Sequence, residues 1–437
     1  MKRVLLGFLL CLPAMPQGLV FKGFTLIDGR GGAPVSSAAM IVDGGRITWV
    51  GPASQLKVPA GASVNDVSGK YVMPGIINLH GHVSVASGLT QDVKRFYTRE
   101  LVEKSLQLYA SYGVTSVASM GTDQPLVYQV REEQRHGRPS VARIFTAGRG
   151  FTGKAGYPST AAGMAGVPYE VATSEQAAAD VEELASHAPD LVKIWVDDHL
   201  GRDPKIPIEI STTIIQTAHQ HGLKVVAHVF YLQDAKQLVA AGIDGLAHSV
   251  RDKPVDDELI RLMKQHRTWQ MAATLSREAS MFVYATPAPF LTDPFFSRGV
   301  SPEVIATMQS AEYQKRIAAD PDLPQYPKFL ETAKQNLKRL ADAGIRYGFG
   351  TDTGPPARFA GYFEHWEAEL MVAAGLTPGQ VITAATKSGA EFLGAKDLGT
   401  IEKGKWADFL ILSASPLADI KNTRKIESVY IAGNRVH

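Results

Sequence analysis

Six side chains in this sequence could do chemistry together, and each ends or interrupts an apolar run. His80 and His82 stand two apart in Asn78-Leu79-His80-Gly81-His82. On a strand, residues two apart face the same side. Two imidazoles converging from one strand make half of a divalent-metal site. The runs Val225-Val226-Ala227-His228 and Gly245-Leu246-Ala247-His248 also end in histidine, 20 residues apart, about one helix with its loops. A lone strand-end histidine is usually a satisfied core residue; two in succession, added to the first pair, suggest convergence. Gly348-Phe349-Gly350-Thr351-Asp352 ends in a carboxylate, either a helix N-cap or a ligand. Lys193 interrupts Leu191-Val192-Lys193-Ile194-Trp195-Val196. With Val192, Ile194 and Val196 on one face, Lys193 points to the other, into the interior. A buried lysine must be paired, neutral or modified. A neutral amine can capture CO₂ as a carbamate; the competing role is a snorkelling lysine paired with Asp197 or Asp198.

These residues need a frame that gathers strand ends. Apolar strand patterns fall at 73–80, 114–118, 142–147, 191–196, 224–229, 244–247, 268–273 and 346–350. Helical patterns separate many of them, as at 97–111, 174–186, 208–221 and 329–343. Eight strands alternating with helices predict an α/β fold, a (β/α)₈ TIM barrel with its chemistry at the C-terminal strand ends. Short apolar runs broken by Gly and Pro recur at both ends of the chain, so a small β-sandwich domain is expected from residues 19–68 and 397–437, around a barrel at 69–396. Segments 151–167 and 282–327 break the rhythm; each is a binding loop or a surface excursion.

The whole chain resembles the amidohydrolase superfamily, and within it the imidazolonepropionase-like and Xaa-dipeptidase-like group with a bridging lysine on the fourth strand. The resemblance rests on the six residues above, on Gly69-Lys70-Tyr71-Val72-Met73-Pro74-Gly75, on the segment Leu376-Thr377-Pro378 to Leu393-Gly394, and on Gly399-Thr400-Ile401-Glu402-Lys403-Gly404-Lys405-Trp406-Ala407-Asp408. Asn78 departs from the pattern, where the family usually has Asp. The resemblance implies a binuclear centre: His80, His82 and Asp352 on one divalent ion, His228 and His248 on the second, and a carbamate on Lys193 bridging both with a hydroxide. Zinc is the default for such N/O ligands, with manganese or iron admissible. Asp352 would move the proton from the attacking hydroxide to the leaving amine. Tyr231, three beyond His228, is a candidate for oxyanion stabilisation, and Arg251, three beyond His248, for pairing with a substrate carboxylate.

The favoured expectation is therefore hydrolysis of an amide or peptide bond in a small substrate, an N-acyl amino acid or a dipeptide. A single-metal hydrolase of a cyclic amide or lactone, or a deaminase, is the alternative; a metal-binding barrel without chemistry is the third. Lys and Arg number 45 against 43 Asp and Glu, which gives no footprint for nucleic acid. Lys2 and Arg3, the apolar run 4–12 and the small residues after it read as a signal peptide over 1–18, implying a periplasmic or secreted protein with no membrane span once mature. The only cysteine, Cys11, lies in that segment. The oligomeric state stays open, a homo-oligomer included.

Overall fold

The computed structural model describes residues 18–437. The expected signal segment, with Cys11, lies outside the described residues but for Gly18. Seven parallel strands follow one another around the barrel: Ile76–Gly81, Val114–Ser119, Arg143–Thr146, Val192–Val196, Val225–Val229, Gly245–Ala247 and Trp269–Ala272. The third and fourth meet where Asp190 N donates to Thr146 O at 2.8 Å. Residues 346–350 are the eighth. Gly348 N donates to Gln270 O at 3.1 Å, and Leu79 N donates to Phe349 O at 2.8 Å, which closes the ring. Glycine is required there: a Cβ on Gly350 would lie 2.8 Å from His80 N and 2.7 Å from Ala272 Cβ.

The expected strand over 73–80 is two strands. Tyr71–Pro74 pairs antiparallel with Phe409–Leu412 in the small sheet, and only Ile76–Gly81 belongs to the barrel. The chain changes sheets at Gly75, whose N donates to Asp408 O at 3.0 Å and whose Cβ position is filled by Thr115. The small β domain is built from both ends of the chain, in the strand order Asn434–Arg435, Ile426–Ile431, Phe409–Leu412, Tyr71–Pro74, Leu19–Leu26, Val35–Asp43, Arg46–Pro52, with Ser63–Asp66 also on Leu19–Leu26. Phe21, Phe24, Met40, Ile47, Phe409 and Tyr430 form its core.

Period-two alternation sorts each barrel strand into two faces. Val192, Ile194 and Val196 pack outward with Val181 and Ile214 of the helices Ser174–Ser186 and Ile208–Gln220. Lys193 and Trp195 are left on the inner side. Leu79, Met120, Val226 and Met271 fill the interior below the site. No helix among the described residues is long and apolar enough to cross a membrane.

Segment 282–327 folds into short helices whose Tyr284, Phe290, Phe296 and Tyr313 are buried with Tyr362 and Phe363 of the helix Tyr362–Ala373. It is a packed aromatic core, not a solvated excursion. His365 of that helix is buried, 2.9 Å from Tyr112 O and 2.8 Å from Thr423 Oγ1. Burial pushes its pKa down to about 3, with Arg424 and Arg298 adding repulsion. The unfolded chain takes up a proton near pH 6.5 that the folded chain refuses, so His365 withdraws stability as pH falls from about 6.5 towards 3. The full effect is on the order of 5 kcal/mol. His365→Gln should flatten the acid limb of a plot of melting temperature against pH; an unchanged limb would exclude His365 as a source of acid lability.

Candidate active site

The C-terminal strand ends meet around one group of metal-capable side chains, His80, His82 and Asp352, whose donor atoms all lie within 4.8 Å of one another. All three are buried. Asp352 Oδ1 is 2.9 Å from His82 Nε2 and 3.5 Å from His80 Nε2. Thr122 Oγ1, 2.8 Å from His82 Nδ1, fixes that ring and leaves Nε2 for a ligand role. Burial first, then the Lys193 charge, pushes the His80 imidazole well below its ordinary pKa, so its nitrogen lone pair is free at neutral pH. Burial would raise the Asp352 carboxyl, but Arg358 and the His82 hydrogen bond outweigh it and hold the group well below the usual carboxylate range. Two imidazoles and one carboxylate suit a divalent ion of the zinc, manganese or iron type. His80 Nδ1 has no hydrogen-bond partner among the described residues, another mark of a site built for more than packing.

His248, Thr274 and Asp352, at the ends of the sixth, seventh and eighth strands, all adopt left-handed backbone, with φ of 66°, 54° and 60°. Such conformations cost about 1–3 kcal/mol each and gather where function requires them. Here they turn the strand ends inward over a cavity of ≈ 160 Å³ lined by the triad, His228, His248, Trp195, Tyr157 and Arg358. Tyr157, Pro158, Ala161 and Met164 come from segment 151–167, which is therefore a wall of the cavity. A larger cavity of ≈ 400 Å³ lies near the start of the third strand. Two of its arginines, Arg131 and Arg143, are ion-paired with Asp190 and Asp408, and it holds no comparable donor group.

The expectation of two ions bridged by a carbamate on Lys193 is corrected. Among the described residues, one cluster of three or more acidic, histidine or cysteine donors is assembled, and it is the triad; there is no second metal site and no bridging carboxylated lysine. The reasons are local. His228 Nε2 is taken by Asp197 Oδ2 at 2.6 Å, so His248, whose Nδ1 is held by Thr274 Oγ1 at 2.7 Å and whose Nε2 is open, has no second free donor of its own to complete a site. Lys193 Nζ has no hydrogen-bond partner among the described residues. Asp197 and Asp198, its expected alternative partners, are engaged by His228 and Tyr231. Burial lowers the Lys193 pKa to about 7, so it is an amine near neutrality among histidines. The expected binuclear centre is corrected to one metal-capable cluster among the described residues, and the assignment to a group defined by a bridging lysine falls with it.

His228 and His248 still join the site. Their rings lie 4.2 Å apart, with His248 4.9 Å from His80, and burial pushes the His228 pKa down to about 4. They line the cavity as neutral hydrogen-bonding groups. Tyr231 and Arg251 do not line it. Tyr231 Oη donates to Asp198 Oδ1 at 2.8 Å, outside the cavity. Arg251 is fully buried, ion-paired with Glu278 at 3.0 Å, and donates to Val229 O at 2.7 Å. The cations that reach Asp352 are Arg358, which donates to Oδ2, and Arg277, 3.6 Å away. Neither follows a strand-end pattern in the sequence, so spacing alone could not mark them.

A closed eight-stranded barrel with this triad at its C-terminal mouth defines a metal-dependent barrel hydrolase. The profile of the Amidohydrolase family matches residues 71–436, and the chain belongs to that family. It is 24% identical over 457 residues to the imidazolonepropionase of Deinococcus deserti, covering 97% of this chain and 96% of that one. The imidazolonepropionase of Streptomyces griseus is 25% identical, covering 92% and 93%. In structure the chain is similar to a Xaa-Pro dipeptidase with bound methionine in the active site, at a TM-score of 0.74 and 21% identity over 96% of this chain and 99% of that one, a likeness of fold.

Proposed function

We propose that this protein hydrolyses a ring C–N bond in a small cyclic amide that carries an anionic substituent, using one divalent ion held by His80, His82 and Asp352. The observation that carries the reading is the single three-donor cluster lining a small cavity. The relatives' name, imidazolonepropionase, joins a ring and a carboxylate side chain and supports the same class.

The anionic substituent is argued from a neighbouring cavity of ≈ 340 Å³ that shares His82, Val85, Pro355 and Arg358 with the first. Lys104, Arg358 and several serines line it, and no Asp or Glu does. Such a lining favours a carboxylate. A bound divalent ion would polarise the amide carbonyl and lower the pKa of the attacking water. Asp352 takes the proton of that water on a carboxylate oxygen and returns it to the departing ring nitrogen. His248, with Nδ1 held by Thr274, can hydrogen-bond the substrate oxygen through Nε2. Arg358 has two partners to choose from: when it turns to the substrate carboxylate, Asp352 loses a cation that weakens it as a base.

Elemental analysis of protein purified without chelator, together with a panel of five- and six-membered ring amides with and without a carboxylate arm, tests the proposal. One ion per chain and ring opening of the acidic members support it; two ions per chain, or cleavage of linear amides alone, would overturn it. Within that panel, Arg358→Met should raise KM for acidic rings by about tenfold or more, the worth of a hydrogen bond to a charged group. KM for neutral rings should move much less, and equal changes for both would remove Arg358 from recognition.

A further inference from the structure

Beneath the triad lies a buried polar network. Glu364, on the helix after the eighth strand, is fully buried. Its Oε1 accepts from Asn78 Nδ2 at 2.7 Å, Thr351 Oγ1 at 2.9 Å and Thr353 Oγ1 at 2.8 Å. Its Oε2 accepts from Gly361 N at 2.5 Å. Asn78 Oδ1 accepts from His80 N at 2.9 Å. One carboxylate thus joins the strand that carries His80 and His82 to the two residues that flank Asp352.

With Glu364 ionised, the fixed donors and acceptors around residue 78 admit a single arrangement. A carboxylate can only accept and a backbone N–H can only donate. Residue 78 must therefore donate towards Glu364 and accept from His80 N, which an amide does and an ionised carboxylate cannot. A carboxylate at position 78 would set two buried oxygens against each other at the 2.7 Å now spanned by a hydrogen bond. Asparagine at this position, where the resembling family usually has aspartate, is thus the counterpart of Glu364.

We propose that Asn78 and Glu364 form a matched amide–carboxylate pair that positions the metal triad, with Glu364 setting the separation of Asp352 from the two histidines. The inference rests on the single-ion reading above. Its test is the reciprocal exchange, read by chelator competition and by the visible absorption of bound Co²⁺. Glu364→Gln alone leaves one donor facing another, at Asn78 Nδ2 or at Gly361 N. Asn78→Asp alone sets carboxylate against carboxylate. Each should weaken Co²⁺ binding by about 10–100-fold, the range for groups that orient metal ligands, and shift its absorption bands. In the double variant the two side chains exchange roles. The amide introduced at position 364 donates through its nitrogen to the carboxylate introduced at position 78, and its oxygen accepts from Gly361 N. The new carboxylate at 78 still accepts from His80 N. The Thr351 and Thr353 hydroxyls, which donate to Glu364 Oε1 in the wild type, turn instead to the carboxylate at 78, from whose Nδ2 counterpart they lie 2.9 and 3.4 Å. With every partner matched in this way, affinity should return to within about threefold of wild type, a return that additive effects forbid.

A double variant as weak as the two singles combined, or singles with wild-type affinity and spectrum, would overturn the proposal. If Asn78→Asp does not fold, Glu364→Gln decides alone: an unchanged Co²⁺ spectrum and affinity would overturn it, and a shifted spectrum in a folded chain would support it. A wild-type chain that binds no Co²⁺ would refute the metal reading instead, so the two failures are distinguishable.

Discussion

Asp352→Asn is expected to lower kcat by about a thousandfold or more while leaving the barrel intact. The substitution keeps size and removes the charge. Three consequences follow from the geometry. The group can no longer accept a proton, so the attacking water and the departing nitrogen lose their shuttle. The ion loses its only carboxylate ligand, and affinity falls without vanishing, because the two imidazoles remain. Arg358 loses the partner it holds at Oδ2. KM for an acidic substrate should therefore not rise in step with the fall in kcat, since the freed guanidinium can serve the substrate. Steady-state kinetics with elemental analysis of the same preparation check this. A kcat within about tenfold of wild type at full metal content would remove Asp352 from proton transfer.

Much of this site was legible because each strand announces its functional end. Apolar runs closed by His80, His228, His248 and Asp352 marked both the barrel and the inward positions, and Lys193 stood out as the one charge in a buried run. What spacing could not convey was which nitrogen each histidine offers. His228 and His248 do converge on the cavity, but Asp197 takes the Nε2 of His228 and leaves His248 as a lone donor, and that contact depends on how a loop returns. The inference from a buried lysine to a bridging carbamate failed at the same point, since burial lowers an amine's pKa without making it a ligand. Arg277, Arg358 and Tyr157 were missed because they sit in connecting segments with no periodic pattern. Glu364 carries no strand-end pattern either, and it differs from its neighbour: His365 packs against Tyr112 and Thr423, while Glu364 reaches the strands that hold the triad. The departure at Asn78 was the one sequence signal that pointed there.

Removal of the ion should cost stability as well as activity, and His82→Ala should reproduce both losses. Without an ion, the site buries two imidazoles and a carboxylate, with His80 Nδ1 left without a hydrogen-bond partner among the described residues. An ion that binds only the folded chain adds RT ln(1 + [L]/Kd), about 4 kcal/mol when the free ion exceeds Kd a thousandfold. Wild-type protein loaded with zinc should therefore unfold at a higher temperature than chelated protein, and the gap should widen with free zinc. His82→Ala breaks the triad at the ligand whose ring Thr122 holds in place. Two ligands remain, too few for a tight site. This variant should unfold close to the temperature of chelated wild type and respond little to added zinc, with turnover lost in both. The comparison separates the ligand role from packing. A histidine that mattered only for packing would lower the melting temperature equally with and without zinc, and a variant that still gains stability from zinc as the wild type does would exclude His82 from the metal centre.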